Sequence, residues 1–180
     1  MSHANAPSST ASPQGRRVLV AIVNGAAGER IQAWRERHDP TEAERVPPHT
    51  TLCYWPPTVE PAILEQQVRH AFEGGVSVRL GEVHQFESDQ HTFYVEVLQT
   101  AALDRARLRL YDGRFVQLPE LREWPWHVSC IRDSRGRARE ALCAAAEDLA
   151  INDQWRVDTV AYLELRGRRY ESLATWTALG

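Results

Sequence analysis

The segments His49-Thr50-Thr51-Leu52 and His127-Val128-Ser129-Cys130 each place a hydroxyl two residues after a histidine. On a β-strand, side chains at i and i+2 stand on one face, so each imidazole has a hydroxyl beside it while Thr50 and Val128 point the other way. Histidine titrates near pH 6.5 and holds either protonation state at neutral pH, so two of them can divide the work of general acid and general base. The hydroxyls of Thr51 and Ser129 can donate to phosphoryl oxygens, where charge grows in a transition state. Two such pairs facing one another would form a metal-free site for phosphoryl chemistry. Either histidine can serve as the acid with the other as the base.

Both motifs need strands to present them, and the pattern around them supplies such strands twice. Residues 18–23 are a β-branched run bounded by Asn24-Gly25, and Glu29 to His38 suits a helix ended by Asp39-Pro40. A polar loop ending in Pro47-Pro48 leads into the first motif strand, His49 to Tyr54. Pro61 starts a helix carrying Leu64, Val68, Ala71 and Phe72 on one face, and Val76 to Phe86 alternates as a strand. The order then repeats. His91 to Leu98 reads as a strand, Leu103 to Tyr111 as a helix, and a Pro- and Trp-rich loop leads into the second motif strand, His127 to Arg132. Ser134 can cap a helix whose apolar stripe extends to Leu149, Trp155 to Leu165 forms a strand, and Gly167 turns it into a last strand from Arg169 to Trp176.

A duplicated unit with a histidine at the same point of each copy predicts an α+β fold of two pseudo-symmetric lobes. Each lobe is expected to be an antiparallel sheet with helices on its outer face, with the active-site cleft between them. The expected organisation is a disordered leader over residues 1–15, low in apolar residues, and a single bilobal domain over 16–180 with approximate repeat halves 16–89 and 90–180. No stretch has the length or apolarity of a membrane span, so a soluble, cytoplasmic protein is expected, and a monomer.

Composition removes several competing chemistries. All 21 basic residues are arginine, which excludes a lysyl-adenylate, a Schiff base and a P-loop lysine. The three cysteines, Cys53, Cys130 and Cys143, show neither a disulfide framework nor zinc spacing and read as buried thiols. There is no HxH, no HExxH and no carboxylate cluster beside either motif, so no metal and no other cofactor is indicated. The formal net charge of −3 lacks the basic excess of a protein that grips a long duplex, and a nucleotide or an RNA end is the expected partner. Tyr54, Trp55, Trp124 and Trp126 are candidates to stack on a base, with core packing as the competing fate of each. Arg132, five places after His127, is placed to reach a phosphate, although a regular strand would carry it to the opposite face.

With its two histidine motifs, the opening strand at residues 17–23, Pro47-Pro48 ahead of the first motif and the closing stretch 157–176, the chain resembles the two-histidine (2H) phosphoesterases. That family includes cyclic nucleotide phosphodiesterases and the bacterial proteins called 2′-5′ RNA ligases, and the resemblance covers about residues 16–180. It implies metal-independent hydrolysis of 2′,3′-cyclic phosphates or of 2′-5′ phosphodiester bonds in nucleotides or RNA ends, with ligation as the reverse. His49 and His127 would be catalytic, and Thr51 and Ser129 would bind substrate. The alternatives are a non-catalytic module that binds nucleotides or RNA ends, and a 2H enzyme acting on a small-metabolite phosphoester. Two departures from the family pattern stand out: Ser129 where Thr is commoner, and Trp126 before His127 where many members carry proline.

Overall fold

Residues 18–23 fold as expected into a strand, β1 (Arg17–Ile22), whose alternate residues feed two apolar clusters. Leu19, Ala21 and the following Val23 face the main core, whereas Val18 and Val20 pack with Val46, Ala161 and Leu163. Burial on both faces explains why the sequence here is continuously apolar rather than alternating. The structure is a computed structural model that describes residues 16–55, 60–86, 92–110, 125–132, 134, 139–149, 151–177 and 179. The leader at residues 1–15 and Trp124 lie outside the described residues.

After β1 come helices α1 (Gly25–His38) and α2 (Pro40–Arg45), strand β2 (His49–Trp55), helix α3 (Pro61–Ala71) and strands β3 (Val76–Gln85) and β4 (Phe93–Leu98). Helix α4 (Ala101–Leu110), strand β5 (His127–Ile131), helix α5 (Arg139–Glu147) and strands β6 (Gln154–Val157), β7 (Val160–Arg166) and β8 (Arg169–Trp176) follow. The strands form two four-stranded antiparallel sheets, in the orders β2-β1-β7-β8 and β5-β4-β3-β6. The fold is thus α+β with two lobes, and helical residues such as Ile31, Val68, Leu103 and Leu142 join both sheets in the main core. The motif strands β2 and β5 are edge strands, one of each sheet, and they lie against one another.

The lobes do not coincide with the repeat halves 16–89 and 90–180. Strand β3, from the first half, pairs with β4 and β6 in the second sheet, while β7 from the second half pairs with β1 in the first. The first half therefore gives one strand, β3, to the opposite lobe, and the second half gives two, β7 and β8. The expected single strand from Trp155 to Leu165 is divided for the same reason: Asp158 and Thr159 carry the chain from β6 in one sheet to β7 in the other.

Two further differences concern the first helices. Asp39-Pro40, read as a stop, also starts a helix: the Asp39 side chain accepts the Glu42 N–H at 3.2 Å, and Pro40 occupies the first helical position. Helix α1 begins at Gly25, four residues earlier than its apolar pattern suggests. Gly25 has φ +64°, a conformation glycine adopts without strain. The Asn24 amide is engaged by Asp158 and Thr159 rather than capping the helix, which ties the α1 entry to the β6–β7 crossover. No helix among the described residues is long and apolar enough to cross a membrane.

Gly28 sets how closely α1 approaches the end of β1, since a Cβ at this position would stand 2.1 Å from the Val23 carbonyl oxygen. Gly28→Ala should therefore force the helix off the sheet and destabilise the fold by about 2 kcal/mol or more, the usual scale for overpacking. A denaturation midpoint equal to that of the parent protein would contradict this close approach.

Candidate active site

Register decides which side chains share a face with the histidines. In the first sheet His49 pairs with Ile22, Thr51 with Val20 and Tyr54 with Val18. A shift between Leu19 and Val20 leaves Leu52 without a partner, and this bulge moves Tyr54, rather than Cys53, onto the face of His49 and Thr51. Leu52 and Cys53 both enter the main core. In the second sheet His127 pairs with Glu96 and Ser129 with Tyr94, which puts Tyr94 and Glu96 on the face of the second motif. The Tyr94 ring meets the His127 ring edge-on at 5.6 Å, Phe86 meets it at 5.0 Å, and Phe86 stacks on Tyr94 at 4.0 Å.

The two imidazoles are held in the same way. His49 Nδ1 bonds the Pro47 carbonyl at 2.8 Å, and His127 Nδ1 bonds the Pro125 carbonyl at 2.8 Å. A carbonyl only accepts, so in each neutral ring Nδ1 carries the proton and Nε2 is the nitrogen that can accept one from a ligand. The next peptide is fixed as well: Val23 N–H donates to the Pro48 carbonyl at 2.9 Å, and Val97 N–H to the Trp126 carbonyl at 3.0 Å. Position for position, the two sites share these anchors.

Trp126 is not a rim residue. It is 9% exposed, its indole N–H donates to Asp104 Oδ1 at 2.7 Å, and the Arg107 guanidinium lies 4.1 Å over its ring. A buried indole needs a partner for its N–H, and once it has one inside the core the ring is not available to stack on a base. Tyr54 stays on the histidine face with the Arg16 guanidinium 4.1 Å over its ring. Trp55 ends β2, but its side chain, like all of Trp124, lies outside the described residues.

Arg132 is drawn into the site because β5 ends at Ile131, which frees the next residue from strict alternation. Its backbone N–H donates to Asp39 Oδ2 at 3.2 Å, and its half-exposed guanidinium lies 3.9 Å from Glu42. Behind Glu42 the buried Arg35 donates to the carbonyls of Glu42 and Val46, both at 2.7 Å. These bonds offset the cost of burying a guanidinium. Asp39, Glu42 and Arg35 thus join the α1–α2 corner to the end of β5, and none is expected from sequence. A charge at that corner reads as solvated surface until the packing of the second lobe against it is known. The same is true of Phe86 and Tyr94, whose relation to His127 depends on a strand pairing between segments far apart in the chain.

Burial, with Arg35, His127 and Arg132 nearby, pushes the His49 pKa down to about 4, against the opposing effect of its Pro47 bond. Burial also lowers His127, with Arg132 adding to the effect and the Pro125 bond opposing it. Glu42 is raised by burial, although Arg132, Arg45 and Arg35 act in the other direction. Both imidazoles are therefore neutral near pH 7 in the free protein. An anion seated between them would offset the surrounding positive charge and favour protonation of one, which is the state an acid–base pair requires.

A family model described as the 2′-5′ RNA ligase superfamily matches residues 23–169. No curated protein sequence matches the chain. Among solved structures, TT0787 of Thermus thermophilus aligns with a TM-score of 0.55 at 15% identity, covering 92% of this chain and 98% of that one. E. coli LigT complexed with 3′-AMP aligns with a TM-score of 0.53 at 21% identity, over 94% and 100% of the two chains. A crystal structure titled phosphoesterase gives 0.55 at 20% identity, over 93% and 100%. At these identities the likeness is one of fold.

The anchored, partly buried rings have a titration signature. In ¹⁵N NMR both histidines should show the Nδ1–H tautomer at neutral pH, and His49 should remain neutral until about pH 4. In the unfolded chain the same residues bind protons near pH 6.5, so the unfolded state takes up more protons and stability falls as pH drops through this window. A His49 titration at or above 6.5 in the free protein would overturn this account of the site.

Proposed function

Because this chain belongs to the 2′-5′ RNA ligase superfamily, we propose that it is a metal-independent phosphodiesterase that opens 2′,3′-cyclic phosphates or cleaves 2′-5′ phosphodiester bonds of nucleotides or RNA ends. The observation that carries the reading is the matched anchoring of His49 and His127 on two abutting edge strands, each with a hydroxyl residue two places on. A site needing only to hold an anion has no use for two neutral imidazoles whose Nε2 atoms can accept a proton, whereas proton transfer at both ends of a breaking P–O bond requires such a pair.

In hydrolysis of a cyclic phosphate, one Nε2 takes a proton from the attacking water as its oxygen bonds to phosphorus. The other ring, protonated while the phosphodiester is bound, gives its proton to the ribose oxygen that departs. The rings exchange protonation states, and the next turnover begins once solvent has restored them. Thr51 and Ser129 donate to the non-bridging oxygens, Arg132 balances the charge of the phosphoryl group, and Tyr54, with Trp55 and Trp124, supports the nucleoside. Breaking the bond to the 2′-oxygen leaves a nucleoside 3′-phosphate, the class of compound held in the E. coli LigT complex. Ligation uses the same residues when a 5′-hydroxyl, in place of water, attacks the cyclic phosphate and the 3′-oxygen departs; its reverse is cleavage of the 2′-5′ bond by the ribose 3′-hydroxyl, with the two rings exchanging roles.

The test is turnover of 2′,3′-cyclic nucleotides and 2′-5′-linked dinucleotides in EDTA. His49→Ala and His127→Ala should each lose roughly a hundred- to ten-thousandfold in kcat, and Thr51→Ala or Ser129→Ala roughly ten- to a thousandfold. Activity that requires added metal or survives either histidine change would refute the mechanism. Tight nucleotide binding without turnover would favour a binding module, and indifference to both substrates would favour a small-metabolite phosphoester.

A further inference from the structure

The backbone just before each histidine does the same work in both lobes but is restrained by different means. In the first lobe residues 47 and 48 are both proline, so the ring fixes φ at the two peptides whose carbonyls accept from His49 Nδ1 and from Val23 N–H. In the second lobe the equivalent carbonyls belong to Pro125 and Trp126, and position 126 has no such covalent restraint. Its side chain supplies a restraint instead. The indole N–H reaches Asp104 Oδ1 at 2.7 Å, and the buried ring is covered by Arg107, which also stands 3.7 Å from Asp104.

Asp104 is itself placed with care. Its second oxygen accepts the Thr100 hydroxyl at 3.0 Å, and its N–H donates to the Thr100 carbonyl at 2.8 Å. Gln99, just before Thr100, turns the chain from β4 into α4 with φ +58°, a value uncommon for a residue other than glycine. A continuous set of contacts thus leads from the end of β4 through Thr100 and Asp104 to Trp126, and from there to the Pro125 carbonyl that orients His127. The same β4 is the strand whose Glu96 pairs with His127. The second histidine is therefore referenced to one strand by two routes, the sheet register and the indole.

We propose that Asp104 is a positioning residue for His127, acting through the Trp126 indole to hold the Pro125 carbonyl where it fixes the imidazole tautomer. The pair takes the part that the Pro47-Pro48 backbone plays for His49. Asp104 touches no substrate; its contribution to the rate is geometric. This role rests on His127 being a proton-transfer residue, as proposed above, but it can be tested without turnover.

Trp126→Phe keeps a buried ring and removes the donor, Asp104→Ala removes the acceptor, and Asp104→Asn retains a carbonyl oxygen that can accept from the indole. With folding monitored by thermal melt, ¹⁵N NMR should show His127 as a mixture of tautomers in the first two variants and as the Nδ1–H form in Asp104→Asn, while His49 is unchanged in all three. On a 2′,3′-cyclic nucleotide, kcat should fall on the order of ten- to a hundredfold in Trp126→Phe and Asp104→Ala, the scale expected for a misplaced catalytic group, with little change in KM. Asp104→Asn should restore most of it. Folded Trp126→Phe and Asp104→Ala proteins that retain the pure Nδ1–H form of His127 would overturn the proposal. If the parent protein turns over no substrate, the phosphodiesterase reading fails, but the tautomer measurement still decides the role of Asp104.

Discussion

Two edge strands from different sheets must be kept side by side although no ladder of backbone hydrogen bonds joins them, and the whole site depends on this. β2 and β5 each carry one histidine, and each ends its own sheet. Side-chain bonds across the join take over from the ladder. The Asp39 carboxylate caps α2 with one oxygen and holds the Arg132 N–H at the end of β5 with the other. The Trp34 indole reaches from α1 to the Ala145 carbonyl in the last turn of α5, where helical carbonyls lack partners of their own. Arg35 braces the corner from beneath. Free strand edges normally invite other chains. Here each edge is placed against the other, and the two histidine motifs lie along their join.

The same packing sets the electrostatics. Desolvation of His49, with the Arg35 and Arg132 guanidinium groups and His127 nearby, makes a proton unwelcome there, and the anchoring carbonyls hold each ring in one tautomer. Each ring thus leaves its Nε2 free of the anchoring bond, and guanidinium groups stand close to His49. The walls differ. Val18, Val20 and Leu163 cluster on the histidine side of the first sheet, whereas Phe86, Tyr94 and Glu96 stand beside the second histidine. A substrate with two unlike ends would meet unlike surfaces on either side of its phosphorus.

The histidine strands, their hydroxyl partners and the two-lobed plan are legible in the sequence because they depend on local alternation and on a pattern that occurs twice. What escapes is everything set by pairing at a distance. A single unpaired residue, Leu52, decides that Tyr54 shares the His49 face, and no feature of the sequence around Cys53 announces it. Trp126 adjoins His127 and so suggests a stacking residue, yet Asp104, on a different helix, gives its indole a buried partner. Glu42 and Arg35 resemble ordinary exposed charges on helices until the other lobe covers them. Asp39-Pro40 signals the end of one helix while the same two residues also begin another, since the signals for stopping and capping overlap.

The exchange of strands between halves has a consequence for how the molecule comes into being. The first sheet lacks an inner strand until β7 has been made, and the second is built around β3, which belongs to the earlier half of the chain. Neither lobe is an autonomous folding unit, and most of the stabilising pairings join residues far apart along the polypeptide. Such topologies close large loops before contacts repay the entropy lost, so assembly is expected to be slow and all-or-none rather than lobe by lobe. A ribosome must deliver most of the chain before both sheets that carry the histidines can close.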